Sequence, residues 1–163
     1  MIQNNPEIDF GSKAPEFHLP DQYSNERRLA EFQGRWLVLY FYPKDNTSGC
    51  TIEAVGFSER LPDFQRLNTE VIGVSPDSVT SHCSFMDKHR LQLILLSDTE
   101  HRVLQAYGVW GKKQLYGREY MGVIRSTFLI DPAGTVRAVW RNVKLKDHVE
   151  AVYQRVKELT AVQ

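Results

Sequence analysis

Only two cysteines occur in the 163 residues, Cys50 and Cys83, and they do not form a Cys-x-x-Cys pair. A disulfide reductase needs that pair, and a small secreted fold needs a fuller disulfide framework, so both are disfavoured. The five histidines, His18, His82, His89, His101 and His148, are scattered. His82 and Cys83 are neighbours that point to different helix sectors, so no metal-site spacing emerges and no cofactor is expected. No Gly-rich phosphate loop is present. No apolar run approaches the roughly 20 residues of a membrane span, and Met1 to Phe10 has neither the basic start nor the apolar core of a signal peptide. A soluble cytoplasmic chain is the expectation. Neither sign of charge is in excess, with 20 basic and 20 acidic residues, which argues against a nucleic-acid binder. One asymmetry, eight basic against two acidic residues from Lys112 to Lys146, reads as a solvated surface. Repeats, low-complexity segments and composition breaks are also missing. One domain over 1–163 is expected, long enough to bury roughly 70% of its unfolded surface.

The stretch from Trp36 to Glu53 is what the chain does have. Trp36 to Tyr42 is an unbroken aromatic and aliphatic run, as in a strand buried on both faces. Pro43 ends it, and turn residues with candidate caps at Thr47 and Ser48 follow. A helix is predicted from about Gly49, with Cys50, Ala54, Phe57, Leu61 and Phe64 along one face. Pro62 predicts a break near Arg60, with helix resuming from Pro62 to Leu67. Cys50 in the first helical turn lies among unpaired amides at the positive end of the dipole, which favours a thiolate. A small apolar core residue fits the same spacing.

Gly11 to Asp21 mixes prolines with short apolar alternation and reads as a lead-in hairpin. Further elements are expected at Val71 to Val74 (strand), Ser75 to about His89 (helix) and Leu93 to Leu96 (strand). Ser97 and Asp98 should cap a short helix ending near Gly108. On the helix to His89, Val79, Cys83 and Met86 share a face, so Cys83 is either a core or a working residue. Ile124 to Ile130 and Thr135 to Trp140 flank a turn at Asp131 to Gly134, and Asp147 to Leu159 is amphipathic through Val149, Val152, Val156 and Leu159. The order implies an α/β fold with a mixed sheet and helices on both faces.

Pro43-x-x-x-Thr47-x-x-Cys50 resembles the active-site pattern of the peroxiredoxins, thiol peroxidases built on the thioredoxin-like fold. Gly11-x-x-Ala14-Pro15-x-Phe17-x-Leu19-Pro20-Asp21, the Ser97-Asp98 pair, and Tyr116 to Asp131 are similar to the Q-type branch, also called bacterioferritin comigratory proteins. The likeness runs from about Phe10 to Leu159. It implies that Cys50 attacks hydrogen peroxide or an organic hydroperoxide and becomes a sulfenic acid. It also implies roles for Thr47 and Arg125 beside the sulfur and for Pro43 in shielding the pocket. Acidity alone gains little. Taking a thiol from about 3% to about 90% ionised at pH 7 is roughly a thirtyfold gain, of which falling nucleophilicity removes about tenfold. Donors aimed at the leaving oxygen must supply the rest.

Two positions depart from the branch pattern. Ser48 stands where proline is usual, and Val55 fills the place, five residues after Cys50, where many members carry a resolving cysteine. Cys83 matches a second subgroup, which places that cysteine on the next helix. The resemblance thus implies an intramolecular disulfide with Cys83, reduced by thioredoxin or glutaredoxin. Because a disulfide needs Cα atoms within about 7 Å, the turn after Cys50 and the helix bearing Cys83 are expected to unwind once Cys50 is oxidised. Two other readings stay open: a one-cysteine peroxidase rescued by an external thiol, and a thioredoxin-fold binding or chaperone module. A monomer is expected.

Overall fold

A computed structural model describes residues 8–161, so the leader reading of the first seven residues lies outside it. The organising strand is β3, Trp36–Phe41, all six residues of which are buried. It pairs in parallel with β4 (Thr69–Ser75), which pairs in parallel with β5 (Ile94–Ser97). On its other side β3 pairs antiparallel with β8 (Ser126–Ile130), and β8 with β9 (Val136–Trp140). The central sheet is therefore mixed, in the order β5-β4-β3-β8-β9.

Side-chain alternation along β3 divides the core in two. Trp36, Val38 and Tyr40 face α1 (Ser48–Arg66), α2 (Val79–His89) and α4 (His148–Thr160). Leu37, Leu39 and Phe41 face the N-terminal segment and α3 (Arg102–Ala106) through Phe17, Leu104 and Tyr107. Each such buried aliphatic side chain contributes about 1.5–3 kcal/mol, which is why an all-apolar strand takes the centre. Gly73 on β4 leaves room for the Tyr40 ring, since a Cβ there would stand 2.7 Å from Tyr40 Cζ.

Several expectations are corrected. Pro62 does not break α1, which runs unbroken from Ser48 to Arg66. Pro62 itself is exposed, while Leu61 and Phe64 beside it are buried and hold the helix down. The lead-in hairpin pairs β1 (His18–Pro20), inside the stretch that suggested it, with β2 (Glu26–Arg28), which lies beyond it. Earlier in that stretch, Lys13 bridges to Thr135. The inward residues of α2 are His82, Phe85 and Met86, with Val79 and Cys83 only half-buried. Strand β8 starts one residue after Arg125, not at Ile124. A further hairpin, β6 (Trp110–Leu115) and β7 (Arg118–Val123), was not anticipated. Among the described residues no helix is long and apolar enough to cross a membrane.

Candidate active site

The chain leaves β3 at Tyr42, turns through Pro43 to Asn46, and enters α1 with Thr47 as its N-cap. Both halves of the turn are locally determined. Pro43 has no amide for a sheet ladder, and Asn46 adopts a left-handed backbone that asparagine tolerates. Cys50 then lies in the first turn of α1, 1% exposed. Gly49 lets a neighbour lie close over that turn: a Cβ there would meet Leu145 Cδ1 at 2.9 Å and Arg125 Nη2 at 3.4 Å.

Arg125, at the entry to β8, reaches across 75 residues of sequence and donates from Nη2 to Cys50 Sγ at 3.1 Å. Its Nη1 donates to Glu53 Oε1 at 2.6 Å. One guanidinium thus bridges the sulfur and a carboxyl one helical turn apart, as the (i, i+3) spacing of Cys50 and Glu53 allows. Burial disfavours the Arg125 cation, but the facing Glu53 and Cys50 outweigh this and hold it above the ordinary arginine range. Glu53 is fully buried, and its Oε2 finds no hydrogen-bond donor among the described residues. A carboxyl 2.6 Å from a guanidinium would ordinarily ionise well below neutrality. Here burial dominates Arg125's opposing pull and drives Glu53 up to about 7.

His148, at the start of α4, stands 4.0 Å from Glu53 Oε2, and its Nε2 is 2.8 Å from Thr127 Oγ1. Burial, and then the Arg125 charge, push it down to about 4, so it is neutral at physiological pH. Tyr40 lies below the site with its hydroxyl unpartnered among the described residues, pushed well above the ordinary tyrosine range by burial and then by Glu53 and Cys50.

Thr47 is exposed, and its hydroxyl donates to Lys44 O at 2.7 Å, which commits its one proton and leaves the oxygen lone pairs as acceptors. Pro43 and Arg125 line a cleft of about 590 Å³ together with Lys112, Lys113, Gln114 and Ile124, so the residue that touches the sulfur also meets solvent space. Cys83 is half-buried on α2, and both cysteines are free thiols.

Sequence reasoning missed Glu53 and His148. The available signal for Glu53 was a lone carboxylate on the apolar stripe of Cys50, Ala54 and Phe57. His148 offered none. The structure also gathers Asp45, Asp77 and His82, whose ligand-type atoms lie within 4.8 Å of one another, a grouping that no sequence spacing announces. His82 Nδ1 bonds to Asp45 Oδ2, Asp77 Oδ2 accepts from the Asp45 backbone N–H, and the two carboxyls accept from the hydroxyls of Tyr42, Ser75 and Ser81.

Comparison with known proteins gives the family. The AhpC/TSA family profile matches residues 10–139. Peroxiredoxin Bcp of Bacillus subtilis is 45% identical over 153 residues, covering 94% of this chain and 98% of that protein. Peroxiredoxin Bcp of Escherichia coli is 38% identical over 148 residues, covering 91% and 95%. A variant of Xylella fastidiosa PrxQ superposes with a TM-score of 0.89 at 37% identity, covering 93% of this chain and 97% of that one. Bacterioferritin comigratory protein of Xanthomonas campestris, studied for alkyl peroxide reduction, superposes at 0.84 with 38% identity, covering 88% and 92%. A thiol held by a guanidinium at a helix start, on this fold and with these relatives, belongs to the AhpC/TSA family, and the chain is a thiol peroxidase of its Q-type peroxiredoxin branch.

Proposed function

We propose that Cys50 is the peroxide-reducing residue, that Cys83 resolves it, and that thioredoxin or, failing that, glutaredoxin returns both to thiols. The Cys50 thiolate attacks one oxygen of hydrogen peroxide or an organic hydroperoxide. The O–O bond breaks, the departing oxygen takes a proton as water or alcohol, and Cys50 becomes a sulfenic acid. The Cys83 thiolate then attacks that sulfur, the S–O bond breaks, and hydroxide leaves as water with a proton. An external dithiol opens the disulfide.

The 3.1 Å contact from Arg125 Nη2 to Cys50 Sγ carries the reading. It stabilises the thiolate and places a fixed donor where charge develops on the leaving oxygen. Glu53 is a positioning residue for Arg125. Thr47, its proton committed to Lys44, has lone pairs free to accept the peroxide's hydrogen. Pro43 screens the sulfur from water along the cleft wall. We further take the chain to work as a monomer in the cytoplasm. The exposed Leu115, Tyr116, Tyr120 and Met121 are the surface through which sedimentation velocity would reveal a dimer instead.

One equivalent of hydrogen peroxide should consume both thiols and lower the mass by about two hydrogens, with turnover lost in Cys50→Ser. Arg125→Gln should slow sulfenic acid formation about 10²–10³-fold, as loss of an oxyanion donor does elsewhere. A persistent sulfenic acid with a free Cys83 thiol would identify a one-cysteine enzyme, and no reaction with peroxide would leave only a binding module.

A further inference from the structure

Cys83 follows a residue that is fully enclosed. His82 is 0% exposed, and its ring is the polar third of the buried face of α2, beside Phe85 and Met86. Its Nε2 is 3.0 Å from Leu96 O, and a carbonyl only accepts, so Nε2 carries a proton. Its Nδ1 is 2.7 Å from Asp45 Oδ2. The same carboxyl accepts from Tyr42 Oη at 2.6 Å and from Ser81 Oγ at 2.8 Å. Asp45 thus accepts from two hydroxyls while its Oδ2 also faces the second ring nitrogen of His82. Asp45 N donates to Asp77 Oδ2 at 2.8 Å, an oxygen that also accepts from Ser75 Oγ at 2.6 Å.

Asp45 lies on the turn that feeds α1, five residues before Cys50, while Asp77, Ser81 and His82 lie at and before the start of α2. One buried network therefore bolts the two cysteine-bearing elements together through the residue that precedes Cys83. Little else buries the N-terminal half of α2, where Val79 and Cys83 are half-buried and Thr80 and Ser84 exposed. A buried, fully bonded pair resists separation because either partner alone is left uncompensated.

We propose that Asp45 and His82 are positioning residues that set the rate of disulfide formation, because α2 must release this pair before Cys83 can reach Cys50. The inference rests on Cys83 being the resolving residue. It separates two steps: the pair opposes resolution and leaves peroxide attack untouched, since none of its atoms contacts Cys50, Glu53 or Arg125 within the described hydrogen bonds. Slow resolution lengthens the life of the sulfenic acid and exposes it to a second peroxide.

The test uses the full-length reduced chain, its Asp45→Asn variant, and Ser81→Ala, which removes one bond to Asp45 and keeps the pair. Rapid mixing with hydrogen peroxide, quenching by thiol alkylation and mass analysis give both rates, and hydrogen exchange gives α2 protection without oxidant. Asp45→Asn should raise the disulfide-forming rate about tenfold or more, lower protection across Val79–His89 at least equally, and change sulfenic acid formation less than about twofold. Ser81→Ala should do the same to a smaller extent, and it carries the test if Asp45→Asn does not fold. A disulfide rate unchanged or slowed while α2 loses protection would overturn the proposal, as would α2 protection that stays at the wild-type level. A wild-type chain that forms no Cys50–Cys83 disulfide would overturn the resolving role itself, a result visible before any variant is made.

Discussion

Glu53 makes the charge on Arg125 a divided one. Below about pH 7 its carboxyl is protonated and, above about pH 4, His148 is neutral, so across that interval the guanidinium faces the sulfur undivided. Above pH 7 Glu53 ionises and takes a share. Glu53→Gln should therefore match wild type in sulfenic acid formation at pH 6 and exceed it about threefold at pH 8, measured by stopped flow. A ratio that does not vary with pH would leave Glu53 as a strut only. The same two groups write opposite slopes into stability. Glu53, raised from an ordinary 4.5 to about 7, contributes stability that is full below pH 4.5 and lost by pH 7. His148, lowered from an ordinary 6.5 to about 4, contributes stability that is full above pH 6.5 and lost as pH falls to 4. Each effect is on the order of 3 kcal/mol over its interval, so they offset one another between pH 4.5 and 6.5. His148→Gln should unmask the Glu53 slope. Urea midpoints of that variant should fall steadily from pH 4.5 to 7, where wild type stays flat until about pH 6.5.

At the scale of the element, α1 shows burial overruling backbone chemistry. Pro62 cannot donate to the Ser58 carbonyl and should interrupt a helix, yet Phe57, Leu61 and Phe64 are buried on one side of it and the proline ring faces solvent. The helix is kept by its apolar stripe at a cost the stripe exceeds. Pro62→Ala restores the missing donor on an exposed site and should stabilise the chain by about 1–3 kcal/mol, seen as a higher denaturant midpoint with unchanged slope. The β6–β7 hairpin is the opposite case. It forms with little burial, around a two-residue turn in which Tyr116 and Gly117 both have positive φ. That geometry is the usual tight-hairpin turn, but tyrosine in place of asparagine or aspartate hid it. Its strands, mostly half-buried or exposed, carry no period that marks them.

Over the whole molecule, what can be read in the chain is what burial imprints: the Trp36 run, the Cys50 stripe, the Asp131–Gly134 turn and the last helix all stand where their patterns place them. The polar assemblies could not be read this way. Arg125 meets Glu53 across 72 residues and Asp45 meets His82 across 37, distances over which no periodicity operates. Arg125 was legible only through resemblance. The division of the core also bounds how far oxidation can disturb the fold. β3 is buried from both sides, by α1 and α4 on one face and by α3 and the N-terminal segment on the other, so the sheet does not depend on α2 alone. Trapping Cys50 with Cys83 should abolish hydrogen-exchange protection in α2 and the first turn of α1, and leave β3, β4 and β8 protected to within about tenfold of the reduced chain. Loss of protection throughout the sheet would mean that α2 supports the fold rather than rides on it, and unwinding could not then be a step in turnover.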